Sequence, residues 1–143
     1  MATKAAKTSE KLRLFSGGES GEIFMHEGLP FKGQGKVLEH MPGVYINAIS
    51  ISHEANLVFV VTSDKQIIVL DAETGEKQAV QAGAHSKGIY DVAVYRTTED
   101  SVNLATCSAD SRLKLWTYEK AAKKFTEKAN FAQIEGVKED VNR

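Results

Sequence analysis

The chain has 143 residues, and its composition excludes several classes of protein before any motif is considered. Hydrophobic residues make up 42% and charged residues 26%, which is typical of a folded domain and not of a disordered segment. Eighteen basic and nineteen acidic residues leave a net charge of −1, so broad electrostatic capture of nucleic acid or of an anionic membrane is not expected. The length predicts one domain.

The first residues, MATKAAKTSEKLR, are basic but contain no apolar segment. We interpret residues 1–11 as a flexible leader and not as a secretory signal, with a transit peptide as the less favoured alternative. The longest apolar runs, such as residues 57–62, are too short to span a bilayer. The only cysteine, Cys107, cannot form an internal disulfide, which favours a cytoplasmic location.

In chain order, the first predicted element is a hairpin at 12–28, LRLFSGGESGEIFMHEG, with Glu19 at its turn. An alternating strand follows at 45–52, and a second hairpin at 57–71, LVFVVTSDKQIIVLD, carries Asp64 at its turn. A more polar strand at 76–83 completes this group. These elements predict a sheet of antiparallel strands.

The same order of elements then recurs. A strand at 89–96 is followed by the hairpin ATCSADSRLKLW at 105–116, which carries Asp110, and by a polar strand at 123–131. The Ala and Lys content of 120–131 also suits a helix. The repeat favours a strand, with Phe125 and Phe131 directed inward.

The spacing of the repeated elements is 44–46 residues. Asp64 lies 46 residues before Asp110, Leu70 lies 46 before Trp116, and His40 lies 45 before His85. We therefore divide the chain into a partial unit at 12–38, complete units at 39–83 and 84–131, and a charged tail at 132–143. The first unit lacks an opening strand unless the leader supplies it.

Four strands per unit, a His before the first strand, and Asp and Trp around the central hairpin resemble the WD-repeat blade, which has a similar period. The resemblance implies an all-β fold, with about three β-propeller blades that are each a four-stranded antiparallel sheet. Propellers have four to eight blades, so the ring is incomplete or is completed by another copy or segment.

The WD-repeat resemblance also implies a buried hydrogen-bonded network in each complete blade. In the last unit it would join His85, Asp110, Trp116 and a hydroxyl from Thr106 or Ser108. In the middle unit His40 and Asp64 remain, but Leu70 stands at the Trp position, which implies a weaker network. In the first unit Glu19 stands at the Asp position and His26 at the Trp position.

A more specific resemblance covers residues 12–119. In order and spacing, the motifs are similar to those of the actin-interacting protein 1 family of WD-repeat proteins. The matching segments include Glu27-Gly28, Pro30-Phe31-Lys32, Ile46-Asn47, Thr74-Gly75-Glu76-Lys77 and Gly88-Ile89-Tyr90. The chain departs from the family at Ser52-His53-Glu54, where Ser-Pro-Asp is usual. The resemblance implies cytoplasmic, non-enzymatic binding of cofilin-decorated actin filaments, whose disassembly would be promoted.

Three residues are candidate contacts for these partners. Phe31 and Lys32 place an aromatic ring beside a cation in a segment between strands, and aromatic anchors dominate many interfaces. Glu19 lies at the tip of a turn. The alternatives are that Phe31 packs on a neighbouring blade and that Glu19 is a solvated turn residue.

No motif in the sequence supports catalysis. The string GESGE at 18–22 lacks the spacing of a nucleophile elbow, and no GK[ST] follows it as a phosphate loop requires. The four histidines and the one cysteine lack metal-ligand spacing. We therefore predict no enzyme, catalytic residue, metal or cofactor. The alternative function is that of a generic WD-repeat scaffold in another complex, and self-association through open blade edges is a further possibility.

Overall fold

A computed structural model describes residues 2–8, 11–27 and 35–132. The described residues form twelve strands in three four-stranded antiparallel sheets, and each sheet follows chain order. The first sheet contains β1 Ala2–Thr8, β2 Lys11–Gly17, β3 Glu22–Glu27 and β4 Lys36–His40. The second contains β5 Ile46–Ser52, β6 Leu57–Thr62, β7 Ile67–Asp71 and β8 Lys77–Gln81. The third contains β9 Ile89–Thr97, β10 Ser101–Ser108, β11 Arg112–Glu119 and β12 Lys124–Ala132. The predicted all-β fold is confirmed.

Part of the segment interpreted as a flexible leader is a strand. β1 pairs with β2 along its whole length, from Ala2 opposite Gly17 to Thr8 opposite Lys11. The leader interpretation is therefore corrected over Ala2–Thr8, and the first sheet has its opening strand. The physical reason is that β2 would otherwise leave a row of backbone N–H and C=O groups without partners.

The middle sheet is buried on both faces. Every residue of β6 is buried, as are the first four residues of β7. One face joins a hydrophobic cluster with the third sheet through Phe59, Val61, Ile67 and Val69. The other joins a cluster with the first sheet through Val58, Val60, Ile68 and Leu70. Burial on both faces explains why the two strands read as uninterrupted apolar runs.

The two outer sheets are buried on one face only. Along β10 buried and half-buried residues alternate, so Val102, Leu104 and Thr106 face the middle sheet. Along β3 the same alternation directs Ile23 and Met25 toward the middle sheet. This period of two is the pattern of a strand with one covered face.

A β-bulge in the third sheet separates two phenylalanines that the sequence assigned to the same face. Leu115 lies opposite Ala129, whereas Trp116 lies opposite Glu127, so Lys128 is the extra residue. An extra residue reverses the side-chain alternation beyond it. Phe125 consequently packs on the core, whereas Phe131 is 52% exposed. The prediction of a strand here is confirmed, and the prediction that Phe131 points inward is wrong.

Among the residues that the structure describes, no helical segment has the length and apolar character that a membrane crossing would require.

Candidate protein-interaction surface

A buried polar network lies in the third sheet. His85 comes from the loop after β8, Thr106 from β10, Asp110 from the β10–β11 turn and Trp116 from β11. His85 Nδ1 lies 3.0 Å from Asp110 Oδ2, and His85 Nε2 lies 2.7 Å from Thr106 Oγ1. Trp116 Nε1 donates to the same Thr106 oxygen at 2.9 Å. The structure thus brings together four of the residues that the sequence singled out, and Thr106 supplies the hydroxyl.

One arrangement of protons satisfies every member of this network. His85 Nδ1–H donates to Asp110, and His85 Nε2 accepts the Thr106 hydroxyl proton. The Thr106 oxygen is then free to accept the indole N–H of Trp116. This tautomer follows from the partners, because the Asp110 carboxylate can only accept and the indole nitrogen can only donate.

The protonation states of His85 and Asp110 agree with this arrangement. Burial lowers the pKa of His85, and the hydrogen bond that His85 donates to Asp110 opposes that effect only in part. Burial also acts to raise the pKa of Asp110, but the hydrogen bonds from Ser86 N–H, His85 and Arg112 N–H lower it overall. A neutral imidazole beside an ionised carboxylate is the result. The pair is therefore suited to hold a loop in place.

The second predicted hydroxyl, Ser108, fastens the turn to the neighbouring loop. Its Oγ donates to the Gly88 carbonyl at 2.8 Å and accepts from Asp110 N–H at 3.1 Å. Asp110 also accepts from the Ser86 backbone N–H at 3.0 Å. Ser108 and Asp110 thus tie the β10–β11 turn to the loop at 82–88.

The middle sheet has a smaller polar cluster, and His40 is not part of it. Asp64 accepts hydrogen bonds from the Thr62 hydroxyl and from Gln66 Nε2, the latter at 2.7 Å. His40 lies opposite Glu22 at the exposed end of β4. The assignment of His40 to the network is therefore corrected. His85 differs because it lies in a loop that folds over the next turn, whereas His40 is held in a strand of the preceding sheet.

The first sheet has Ser20, and not Glu19, at the position equivalent to Asp64 and Asp110. The next residue in each of the three turns has a positive φ: 75° at Gly21, 75° at Lys65 and 65° at Ser111. Ser20 Oγ accepts from the Glu22 backbone N–H at 3.4 Å, as Asp110 accepts from Arg112. The placement of Glu19 at the Asp position is therefore corrected by one residue, and Glu19 is exposed.

These three turns form one surface with the loops between the sheets, which we call the turn surface (residues 18–21, 41–45, 62–66, 82–88 and 108–111). Backbone hydrogen bonds connect its parts, from Met41 N–H to Gly21 at 2.8 Å and from Ala84 N–H to Lys65 at 2.9 Å. Tyr45, which is 51% exposed beside the Ser63 turn, was not among the predicted contact residues. An aromatic residue at the first position of a predicted strand was the available signal.

The structure describes one of the three predicted contact residues. Glu19 lies on the turn surface, whereas Phe31 and Lys32 lie outside the described residues. Within residues 2–8, 11–27 and 35–132, no group of three or more His, Cys, Asp or Glu side chains is arranged to hold a metal ion.

Comparison with curated proteins identifies relatives along most of the chain. It is 32% identical over 112 residues to WD repeat-containing protein 1 of Bos taurus, and 30% identical over 112 residues to that of Gallus gallus. It is 27% identical over 114 residues to actin-interacting protein 1 of Drosophila melanogaster. The alignments cover 77% of this chain for the first two and 79% for the third. The chain spans only 18% of the length of each relative.

Comparison with solved structures identifies the fold. The crystal structure of the Myceliophteria thermophila Cps50 (Swd1) β-propeller domain superposes with a TM-score of 0.64 at 13% identity. That superposition covers 81% of this chain and 34% of the other. No protein-family model matches the sequence. From the repeats, the three sheets and these relatives, the chain is a set of WD-repeat β-propeller blades homologous to WD repeat-containing protein 1 and actin-interacting protein 1.

Proposed function

We propose that this chain is a binding module of the actin cytoskeleton, which recognises cofilin-decorated actin filaments in the cytoplasm and promotes their disassembly. The observation that carries the proposal is the homology to a Drosophila protein whose name states an interaction with actin. The role of cofilin follows from the family resemblance of the motifs between residues 12 and 119. Homology along most of the chain supports a shared binding partner.

The geometry of the turn surface supports a role in protein binding. His85, Ser108 and Asp110 fix the loop at 82–88 against the β10–β11 turn through hydrogen bonds, of which those made by the His85 and Ser108 side chains are partly buried. A surface that is already ordered loses less conformational entropy when a partner binds. Tyr45 and Glu19 are exposed on this surface and are available for contact.

The proposed mechanism is a difference in affinity between two states of the filament. If the chain binds the cofilin-decorated state more tightly than the bare state, binding shifts the population toward the decorated state. The chain then needs no chemical step to favour disassembly. We assign the contacts to Phe31, Lys32 and Glu19, on the grounds given by the sequence.

Co-sedimentation with actin filaments, with and without cofilin, tests this proposal. We expect the chain to pellet with filaments to a much greater extent when cofilin is present. Replacing two of the three contact residues (Phe31→Ala with Lys32→Ala) should weaken this binding about tenfold, or ~1.4 kcal/mol, because aromatic and cationic anchors dominate interface energies.

A pair of charge reversals provides the matched control for the turn surface. Glu19→Lys should reduce pelleting, whereas Glu54→Lys should not, because Glu54 is also an exposed turn residue but lies at the opposite ends of the strands. Equal loss in both variants would contradict the assignment to the turn surface. Absence of pelleting with or without cofilin would contradict the proposal and favour the generic WD-repeat scaffold, which a pull-down that recovers other complexes would then support.

A further inference from the structure

The outward face of the third sheet has an apolar centre that no described residue covers. It carries Ala105, Cys107, Leu113 and Leu115 on the two central strands, together with Phe131 on β12. Leu113 is 42% exposed, and with Cys107 and Phe131 it lines a hollow of about 210 Å³. Two charged residues border this apolar centre: Asp91, which lies opposite Cys107 on β9, and Arg112, which lines the same hollow.

The same positions in the other two sheets are the ones that pack on the next sheet. Subtracting 46 residues from Ala105, Cys107, Leu113 and Leu115 gives Phe59, Val61, Ile67 and Val69, which face the third sheet. Subtracting a further 44 from Ile67 and Val69 gives Ile23 and Met25, which face the second sheet. The outward face of the third sheet is therefore one half of a sheet-to-sheet interface that the chain already forms twice.

The outward face of the first sheet is the other half. Leu14 and Phe24 lie 44 residues before Val58 and Ile68, which pack on the preceding sheet in the middle of the chain. Both outward residues are half-buried and neither belongs to the hydrophobic clusters of the described residues. In the observed interface Ile23 and Ile68 share a cluster, so the equivalent residues across a new interface are Leu113 and Phe24.

We infer that two copies of this chain associate head to tail through these faces, with the third sheet of each copy against the first sheet of the other. Both halves of the interface are present on every copy, so two copies form two identical contacts and close a ring. Two sets of three sheets make six, which lies within the range of four to eight blades found in propellers. This inference is independent of the proposed function, and it uses sheet faces and not the open blade edges.

The mass of the chain in solution tests the inference. Light scattering over a dilution series should give twice the 15.6 kDa of one chain, with dissociation on dilution. The Leu113→Lys variant should have the mass of one chain, because a lysine would be buried without a partner at both contacts. Val80→Lys is the matched control, and this variant should keep the mass of two chains, since Val80 is 41% exposed on the outermost strand of the middle sheet.

A mixing experiment distinguishes head-to-tail contact from other pairings and also controls for misfolding. Phe24→Glu alone should also be a single chain. Mixed with Leu113→Lys, it should form a pair, because one contact joins the introduced lysine to the introduced glutamate and the other contact is unchanged. Circular dichroism confirms that each variant is folded. The inference would be overturned if the wild-type chain had the mass of one chain at all concentrations, or if the Leu113→Lys variant still had the mass of two. Open polymers of growing mass would also overturn it, as would folded variants that do not pair on mixing.

Discussion

At the residue scale, Thr106 is the centre of the polar network. Its single hydroxyl both donates to His85 Nε2 and accepts from Trp116 Nε1, and all three groups are buried. Removing that hydroxyl leaves an acceptor and a donor without partners at once. Each unsatisfied buried group costs about 1–3 kcal/mol.

We therefore expect Thr106→Val to lower the free energy of unfolding by about 2–4 kcal/mol, although valine has nearly the same shape. The measurement is urea denaturation followed by circular dichroism. Thr126→Val is the control, because Thr126 is exposed on β12, and it should change stability by less than about 0.5 kcal/mol. A loss of the same size in both variants would show that any Thr→Val change in this sheet lowers the stability, and that the network is not the cause.

The sequence identified some network residues and misplaced others for definable reasons. Asp110 and Trp116 were recognisable from their spacing within the repeat, and the geometry joins them through His85 and Thr106. The prediction that His40 belongs to the network was wrong because spacing alone does not distinguish a loop residue from the last residue of a strand. The shift from Glu19 to Ser20 depends on which residue of the turn adopts positive φ, and Lys65 and Ser111 adopt it without a glycine signal.

At the scale of elements, β12 shows how one extra residue changes the role of a strand. Phe125 packs at 4.9 Å from the Tyr118 ring and 6.1 Å from the Trp116 ring, measured between centroids. Phe131 lies six residues later and would share that face in a regular strand. The bulge at Lys128 directs it to the outward face instead. A bulge has no sequence signal of its own here, so the alternation rule could not find it.

The two phenylalanines should therefore differ sharply in their contribution to stability. Phe125→Ala should cost about 2–4 kcal/mol, because it leaves a cavity among aromatic rings. Phe131→Ala should cost less than about 0.5 kcal/mol, since the side chain is exposed. Thermal denaturation of dilute samples, in which association does not contribute, is the appropriate measurement. Similar losses would mean that the alternation continues unbroken through β12.

β1 is a strand that the sequence pattern did not predict. Ala2–Thr8 has a basic, Ala-rich composition with no apolar alternation, and it pairs with β2 along its whole length. The strands of the middle sheet, in contrast, were predictable because both of their faces are covered by other sheets. Sequence patterns therefore identified strands with apolar runs or alternation, and they missed β1, which has neither.

At the scale of the whole molecule, the middle sheet couples the two outer ones. Its two faces belong to two hydrophobic clusters, and β6 and β7 contribute to both. In repeat proteins the stability of each unit depends on its interfaces with its neighbours. Damage to the first sheet should therefore be transmitted through β6 and β7 to the third.

The single tryptophan makes this coupling measurable. Phe15→Ala, in the first sheet, should cost about 3–5 kcal/mol and should shift the unfolding transition reported by Trp116 fluorescence in the third sheet. Circular dichroism should give the same midpoint. A Trp116 transition that stays in place while circular dichroism shows early unfolding would indicate that the sheets unfold independently.

Burial of β6 and β7 on both faces also has a consequence for biosynthesis. The hairpin at 57–71 emerges from the ribosome before the third sheet exists, so half of its apolar surface has no cover at that stage. Leu57–Thr62 is uncharged, rich in β-branched residues and free of proline, which are the features of aggregation-prone segments. Premature termination between β7 and β10 would release a chain with this segment uncovered. Chaperone capture during translation would therefore matter most over that interval.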